Sequence, residues 1–250
     1  MMDIVIPLMI RENNPDLKFC LRTINKNMID FDGKIYFSGS WKPSWVNDEV
    51  TVIENRQNRG KWLNALNNVI AACKNPSVSE DFILFNDDFF CIKKVYVNKP
   101  EEWNYCRGTL NDKIQMFEDK FPDSKSIWKR SFRAVRDLLI EIGAKHFLDF
   151  ALHQPMIINK NKFLAMMELP AVKQYLKGNF ILSFRSLYGN LYFKNPKIIA
   201  DCKITPGTDY DSKNFKHTKW LSVGDNMIDN PEYPNLAKLV KRFPKSKYEY

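Results

Sequence analysis

Continuous apolar runs, rather than alternating ones, dominate the first third of the chain. Four stand out: Asp3 to Leu8, Lys34 to Phe37, Val50 to Ile53, and Asp81 to Phe85. Runs of this length and character suit strands buried on both faces of a parallel sheet. Two segments between them follow a helical period instead. Leu17 to Asn27 aligns Leu17, Leu21 and Ile24, and Gly60 to Lys74 aligns Trp62, Leu66, Val69, Ile70 and Cys73. The resulting order β-α-β-β-α-β predicts an α/β fold with a mostly parallel, Rossmann-like central sheet of the nucleotide-binding type.

The pattern changes after residue 97. Asn98 to about Ser126 is polar, carries Pro100 and Pro122 and shows little periodicity, so it reads as an insertion or a mobile loop over the site. An amphipathic helix follows, with Ile127, Trp128, Phe132, Val135, Leu138, Leu139 and Ile142 on one side and a stop at Gly143. Lys129, Arg130, Arg133 and Arg136 are assigned to its other side. They are either a solvated face or a contact for an anionic substrate. The last third has a helix at Phe163 to Glu168, apolar segments at Leu176 to Leu182 and Leu191 to Phe193, and a basic aromatic tail from Arg242 to Tyr250. The chain therefore divides into 1–97, an α/β half; 98–150, an insertion with the basic helix; and 151–250, a C-terminal half. All three are expected in one compact domain.

Composition narrows the function classes. The 250 residues are 44% hydrophobic and 14% aromatic, enough to build a core and to exclude disorder as the main state. The formal net charge of +9 and isoelectric point near 9.2 favour polyanionic partners: nucleic acid, nucleotide phosphates or an anionic membrane. Five cysteines lie scattered with no CxxC pair, which reads as reduced core residues. No apolar run is long enough to span a bilayer and the chain opens directly on a strand. A cytoplasmic location is expected, in a bacterium or in the host cell of a virus. GxGxxG, Walker and HExxH motifs do not occur.

The candidate chemistry concentrates at Asn86-Asp87-Asp88, where the fourth apolar run ends. Ligands of open α/β sheets bind beyond the carboxyl ends of the strands. Two adjacent carboxylates there repel each other unless a cation intervenes. A hard divalent ion, Mg²⁺ or Mn²⁺, accepts their oxygens and bridges to a diphosphate. The alternative is a helix N-cap. Upstream, Asn55 ends a strand, and Arg59 and Lys61 open a helix whose N–H groups suit phosphate. With Asn86 they form the candidate donor-binding set. The competing reading is an ordinary capped helix start.

The segment Asp81 to Phe90 resembles the DXD-type strand end of GT-A glycosyltransferases. It is more similar still to the Stealth family of sugar-phosphate transferases, with its Phe-x-Tyr-x-Asn-Asp-Asp-x-Phe-Phe run. That family's further blocks are matched in order by His153-Gln154-Pro155, by Phe184-Arg185-Ser186-Leu187-Tyr188 with Tyr192-Phe193, by Leu221 to Asn226, and by Phe243 to Glu249. Its first block is replaced here by Ile6-Pro7-Leu8-Met9. The resemblance implies a GT-A-like fold with a C-terminal acceptor-binding portion and a nucleotide diphosphate sugar donor, a UDP-sugar in the first instance. Asp87 and Asp88 are the metal candidates, and His153, Arg185 and Asp225 the catalytic ones. His153 is a base, phosphate partner, metal ligand or structural residue. Arg185 is a counter-charge for the leaving diphosphate or an ordinary ion pair. Asp225 is a catalytic carboxylate or a turn residue.

Three functions follow. The first is a metal-dependent glycosyltransferase acting on an acceptor hydroxyl, that of a hydroxymethylated pyrimidine in viral DNA, with Arg130, Arg133 and Arg136 as acceptor contacts. The second is a sugar-1-phosphate transferase acting on a bacterial surface polysaccharide. The third, a nucleic-acid-binding module without catalysis, leaves Asp87 and Asp88 idle.

Overall fold

A computed structural model describes residues 1–9, 11–123, 127–178, 181–208, 210–211 and 215–250, with only the backbone of 128. The end of the polar stretch at 124–126, the Trp128 side chain and the middle of the 176–182 segment lie outside the described residues. In chain order the elements begin with β1 (Asp3–Pro7), α1 (Pro15–Asn27), β2 (Met28–Ile29), β3 (Ile35–Gly39), β4 (Val50–Glu54) and α2 (Lys61–Lys74). Then come β5 (Asp81–Leu84), β6 (Phe89–Cys91), β7 (Val95–Tyr96), a 3-10 turn (Pro100–Glu102), β8 (Tyr105–Cys106), α3 (Leu110–Lys120) and α4 (Ile127–Ile142). The chain continues with β9 (Met156–Asn159), α5 (Lys160–Glu168), α6 (Pro170–Lys177), α7 (Phe184–Tyr192), β10 (Lys197–Ile198), β11 (Trp220–Ser222) and α8 (Pro234–Val240).

The central sheet has the order β4-β3-β1-β5-β9. Its first four strands are parallel, and β9 closes the edge antiparallel to β5. All four apolar runs are therefore parallel strands of one sheet. Phe85 extends β5 by one hydrogen bond, its N–H to Val5 O at 2.9 Å. Side chains alternate between two cores. Ile4, Ile6, Ile35, Phe37, Ile83 and Phe85 face one, with the buried residues of α1; Val5, Tyr36, Phe82 and Leu84 face the other, with those of α2, α4, α5 and α7. The inner strands β1, β3 and β5 bury side chains on both faces, which is why their centres are apolar; β4, at the sheet edge, exposes Thr51. Each fully buried side chain of this size contributes roughly 1.5–3 kcal/mol.

Two expectations are corrected. The polar stretch after residue 97 is not structureless: it contains β8 and the helix α3. Thr109 caps α3 by accepting from Asp112 N–H at 3.0 Å, and Leu110 and Ile114 bury its apolar side. Two prolines and a high charge density hid this short amphipathic period. The basic side of α4 is also not uniform. Lys129 is buried, its ammonium donating to Phe121 O and Pro122 O at 3.4 and 3.2 Å, so it is a clamp on the α3–α4 connection. Gly143 ends α4 as expected, at φ +77°, with the 143 and 144 amides donating back to Ile140 O and Leu139 O.

The C-terminal segment is a strap on the opposite end of the sequence. Arg22 of α1 makes a two-point ion pair with Glu249 at 3.0 and 2.8 Å. Tyr250 N–H donates to Trp45 O at 3.0 Å, and the Trp45 indole donates to Glu12 O at 2.8 Å. The loop that leaves β1 is thus tied down by the last residues of the chain.

Gly189 in α7 makes a close approach that tests this packing. A Cβ there would press into the Phe150 ring, well inside van der Waals contact. Gly189→Ala is expected to destabilise by about 1–3 kcal/mol through overpacking. A denaturant midpoint unchanged from wild type would contradict the packing described.

Candidate functional site

Asn86, Asp87 and Asp88 leave the sheet between β5 and β6. No helix starts there, so they are not an N-cap: Phe89 N–H closes a turn onto Asn86 O at 3.2 Å. Beyond the turn lies a cavity of about 610 Å³, well within the size of small-ligand sites. Lys61, Asn86, Asp87, Asp88, His153 and Asp225 all line it. These residues come from separated stretches of sequence. Each was singled out from the sequence, and the fold brings them together.

The acid end of the cavity is under electrostatic tension. Asp87 accepts from the Asn14 amide at 2.9 Å. Asn14 also caps α1, its Oδ1 accepting from Leu17 N–H at 3.0 Å, so one side chain orients both the helix and the carboxylate. Asp88 accepts from Ser222 Oγ at 3.0 Å and pairs with Lys203 Nζ at 3.3 Å. Burial, then the neighbouring Asp88, pushes the Asp87 carboxyl above its usual range. Asp16, in the first turn of α1, is driven to about 7 by burial and then by Asp87, Asp88, Asp225 and Asp229. Its Oδ1 is buried without a hydrogen-bond partner.

That arrangement fits a divalent cation. Among the described residues no group of three or more His, Cys, Asp or Glu side chains is placed to hold a metal unaided. Mg²⁺-type sites, however, use one or two carboxylates and take their other ligands from substrate phosphates and water. Asp87 and Asp88 would supply the carboxylates, and the crowding around Asp16 marks where positive charge relieves repulsion.

The other end of the cavity is basic and aromatic. Lys113 and Arg107 lie there with Phe117 and Phe132, and Lys61 and Trp62 also line the cavity. Burial, then the charge of Arg107, lowers the Lys113 ammonium below its ordinary value. His153 stands between the two ends. Its Nδ1 lies 2.8 Å from Asp201 Oδ2, and its ring meets Phe89 edge-on at 6.5 Å between centroids. Arg107 bridges Asp201 at 2.6 Å and the buried Asp149 at 2.7 Å.

Several sequence candidates fall outside the cavity lining. Asn55 donates to Asn68 Oδ1 at 2.8 Å, and Gln57 reaches the same oxygen at 2.7 Å. Gln57 and Asn68, not Asn55, line the cavity. Arg59 contributes its backbone N–H to Asn64 Oδ1 at 3.0 Å while its side chain is exposed. Arg185 is sealed behind Phe89: its guanidinium lies over that ring at 5.5 Å and donates to Gln154 O. Burial lowers its pKa to about 10 against the pull of Asp201 and Asp88, and Nε and Nη1 have no partner. Arg130, Arg133 and Arg136 do not line the cavity either; Arg133 pairs with Glu118 and Arg136 with Asp137.

Sequence reading missed Asn14, Asp16, Arg107, Asp201, Lys203 and Ser222. For the first two a signal existed: Asn14-Pro15-Asp16 is a helix start aimed from the end of β1. Arg107, Asp201 and Lys203 sit on connections with no period or motif to mark them; Ser222 ends β11, inside the Leu221 to Asn226 block, but nothing in that block pointed to Asp88.

Neither a protein-family model nor a curated protein matches the chain. Its fold is shared with solved glycosyltransferases. The galactosyltransferase LgtC in complex with donor and acceptor sugar analogues superposes with a TM-score of 0.51, 10% identity and coverage of 98% of this chain and 97% of that one. An active-site mutant of LgtC gives a TM-score of 0.50 at 10% identity with the same coverage. The fold is thus of the GT-A glycosyltransferase type: mixed α/β with a mostly parallel central sheet. No helix among the described residues is long and apolar enough to cross a membrane. The Stealth resemblance rests on its motif blocks alone.

Asp16 generates a test of the acid end. A carboxyl with a raised folded-state pKa binds its proton more tightly in the folded protein. The contribution of Asp16 to stability is therefore fullest below about pH 4 and is lost as pH rises through about 7. Asp16→Asn should remove that loss, leaving the variant more stable than wild type at pH 8 by on the order of 2–4 kcal/mol. Parallel melting curves for the two proteins between about pH 5 and 8 would contradict the crowding.

Proposed function

We propose that this chain is a metal-dependent glycosyltransferase that moves a sugar from a nucleotide diphosphate sugar to an acceptor hydroxyl. One observation carries the reading: a single cavity at the carboxyl ends of β1 and β5, in a GT-A-type fold, gathers Asp87, Asp88, His153 and Asp225. Asp87 and Asp88 would hold a divalent ion, which would supply charge neutralisation for the departing diphosphate. Lys203 and Lys61 add fixed positive charge, and Asn14 and Ser222 keep the two carboxylates aimed. Asp225, exposed on the turn after β11, faces the same charge cluster and completes its rim. His153, with Asp201 on Nδ1, takes the proton from the acceptor hydroxyl. Arg185, shielded by Phe89, supports the wall and the field rather than touching the diphosphate.

The same constellation serves attack at the β-phosphorus, which is the Stealth-type reaction; retention of a labelled β-phosphate in the product distinguishes the two. Hydroxymethylated DNA as acceptor now rests on the net charge of +9. Its candidate contacts on α4 are largely engaged in ion pairs or buried.

Thermal shift with nucleotide sugars tests the donor class. The matching donor with Mn²⁺ at about 100 times its dissociation constant should stabilise the fold by about 2.7 kcal/mol. A panel without any shift in Mn²⁺ would remove the donor reading. Asp87→Asn and Asp88→Asn should each abolish most transfer while melting as cooperatively as wild type.

For DNA the measurement is duplex affinity across salt concentrations. If DNA is the acceptor, the slope of log affinity against log salt should be about −0.9 per neutralised phosphate. Replacing Arg130, Arg133 and Arg136 by Gln should flatten it. No binding at low salt would leave a carbohydrate acceptor.

A further inference from the structure

Asp201 is the most completely committed carboxylate around the cavity. Its Oδ1 accepts from the backbone N–H groups of His153 and Cys202, at 3.1 and 2.9 Å. Its Oδ2 accepts from Arg107 Nη1 at 2.6 Å and lies 2.8 Å from His153 Nδ1. Three of these four partners are independent of the imidazole. Arg107 is itself fixed, its Nε and Nη2 donating to Asp149 Oδ2 at 2.9 and 2.7 Å, while its backbone N–H donates to Asp149 O at 2.8 Å. Asp149, almost fully buried, accepts Ala151 N–H at 2.9 Å on its other oxygen.

His153 is held just as closely. Its backbone N–H is bound by Asp201, its carbonyl accepts from Cys202 Sγ at 3.0 Å, and Phe89 meets its ring edge-on. With Nδ1 committed to an anchored anion, Nε2 is the nitrogen left for the cavity that His153 lines. Burial pushes the Asp201 carboxyl up, but the His153 hydrogen bond, the charge of His153 when protonated and that of Arg107 bring it down to about 2; with the imidazole neutral, Arg107 and the two backbone N–H donors still favour the carboxylate.

We propose that Asp201 is a positioning residue that holds neutral His153 as its Nδ1–H tautomer, so that the Nε2 lone pair is offered to the acceptor hydroxyl. The assignment rests on the transferase reading for its role, but not for its geometry. In the transfer, the acceptor oxygen bonds to the anomeric carbon of the donor. The bond from that carbon to the diphosphate oxygen breaks, and its electron pair leaves with the nucleotide diphosphate. The hydroxyl proton goes to Nε2, and the resulting imidazolium is stabilised by Asp201 until solvent removes the proton. Asp201 keeps its charge throughout. An orienting carboxylate of this kind acts through tautomer and direction, not by taking a proton.

The test is spectroscopic first. The chain has three histidines, His146, His153 and His217. In ¹⁵N-histidine protein at alkaline pH, His153→Gln identifies the His153 signals. Wild type should show protonated Nδ1 and unprotonated Nε2; a wild-type Nε2–H tautomer overturns the proposal outright, whatever the fate of any variant. Asp201→Asn should reverse the tautomer by offering an amide N–H to Nδ1. Its kcat should fall by on the order of 10²–10⁴, the range of general-base contributions, with the donor KM unchanged. A folded Asp201→Asn protein that keeps the wild-type tautomer and kcat would equally overturn it. The spectrum needs no substrate. A failed donor screen with the Nδ1–H tautomer present therefore discards the transferase reading and leaves the positioning of His153 standing.

Discussion

Asp88 rests between Lys203 and Ser222, and much of the molecule is arranged around that contact. A strand buried on both faces excludes charge from its interior, so β5 carries carboxylates only at its ends: the exposed Asp81 where it enters and Asp87-Asp88 just beyond where it leaves. There Asp87 and Asp88 crowd with Asp16 and Asp225 in a partly desolvated space. Lys203 and Ser222 come from the other end of the sequence and supply the local neutralisation that makes the turn tolerable. The pairing of β11 with β6 carries Ser222 to the turn that holds Asp88. The site and the closure of the fold are therefore the same structural event.

The opposite pole of the cavity is solved differently. Arg107 is not left to face Lys113 alone; it is divided between Asp149 and Asp201, and the second of these carries His153. Positive charge, a fixed anion and an imidazole follow one another in a chain of short hydrogen bonds. The cavity thus has an acidic end, where Asp16, Asp87, Asp88 and Asp225 crowd, and a basic, aromatic end around Arg107 and Lys113. His153 lies at the boundary, lining the cavity while its Nδ1 is held by Asp201.

The sheet was legible because burial on two faces writes itself as unbroken apolar runs, and every one of the four became a parallel strand. Asp87, Asp88 and Lys61 were legible for the same reason: they sit where a recognisable strand ends or a recognisable helix starts. α3 escaped because its buried positions are few and framed by prolines and charges. Lys203, Asp201 and Ser222 escaped because their importance is set by which strand they land beside. No local pattern records that information. Lys129 shows the reverse error: a cation at helical spacing reads as solvent-facing until carbonyls from a neighbouring turn are seen to receive it.

The strap formed by residues 249 and 250 has a bearing on how the molecule is made. During synthesis β1, β5 and the Asp87-Asp88 turn leave the ribosome long before Ser222, Glu249 and Tyr250 exist. Contacts this distant in sequence form late and slow folding, and partly folded chains of this size expose apolar surface to aggregation. The nascent N-terminal half would hold a collapsed sheet whose acid end is still unshielded and whose first loop is still untied.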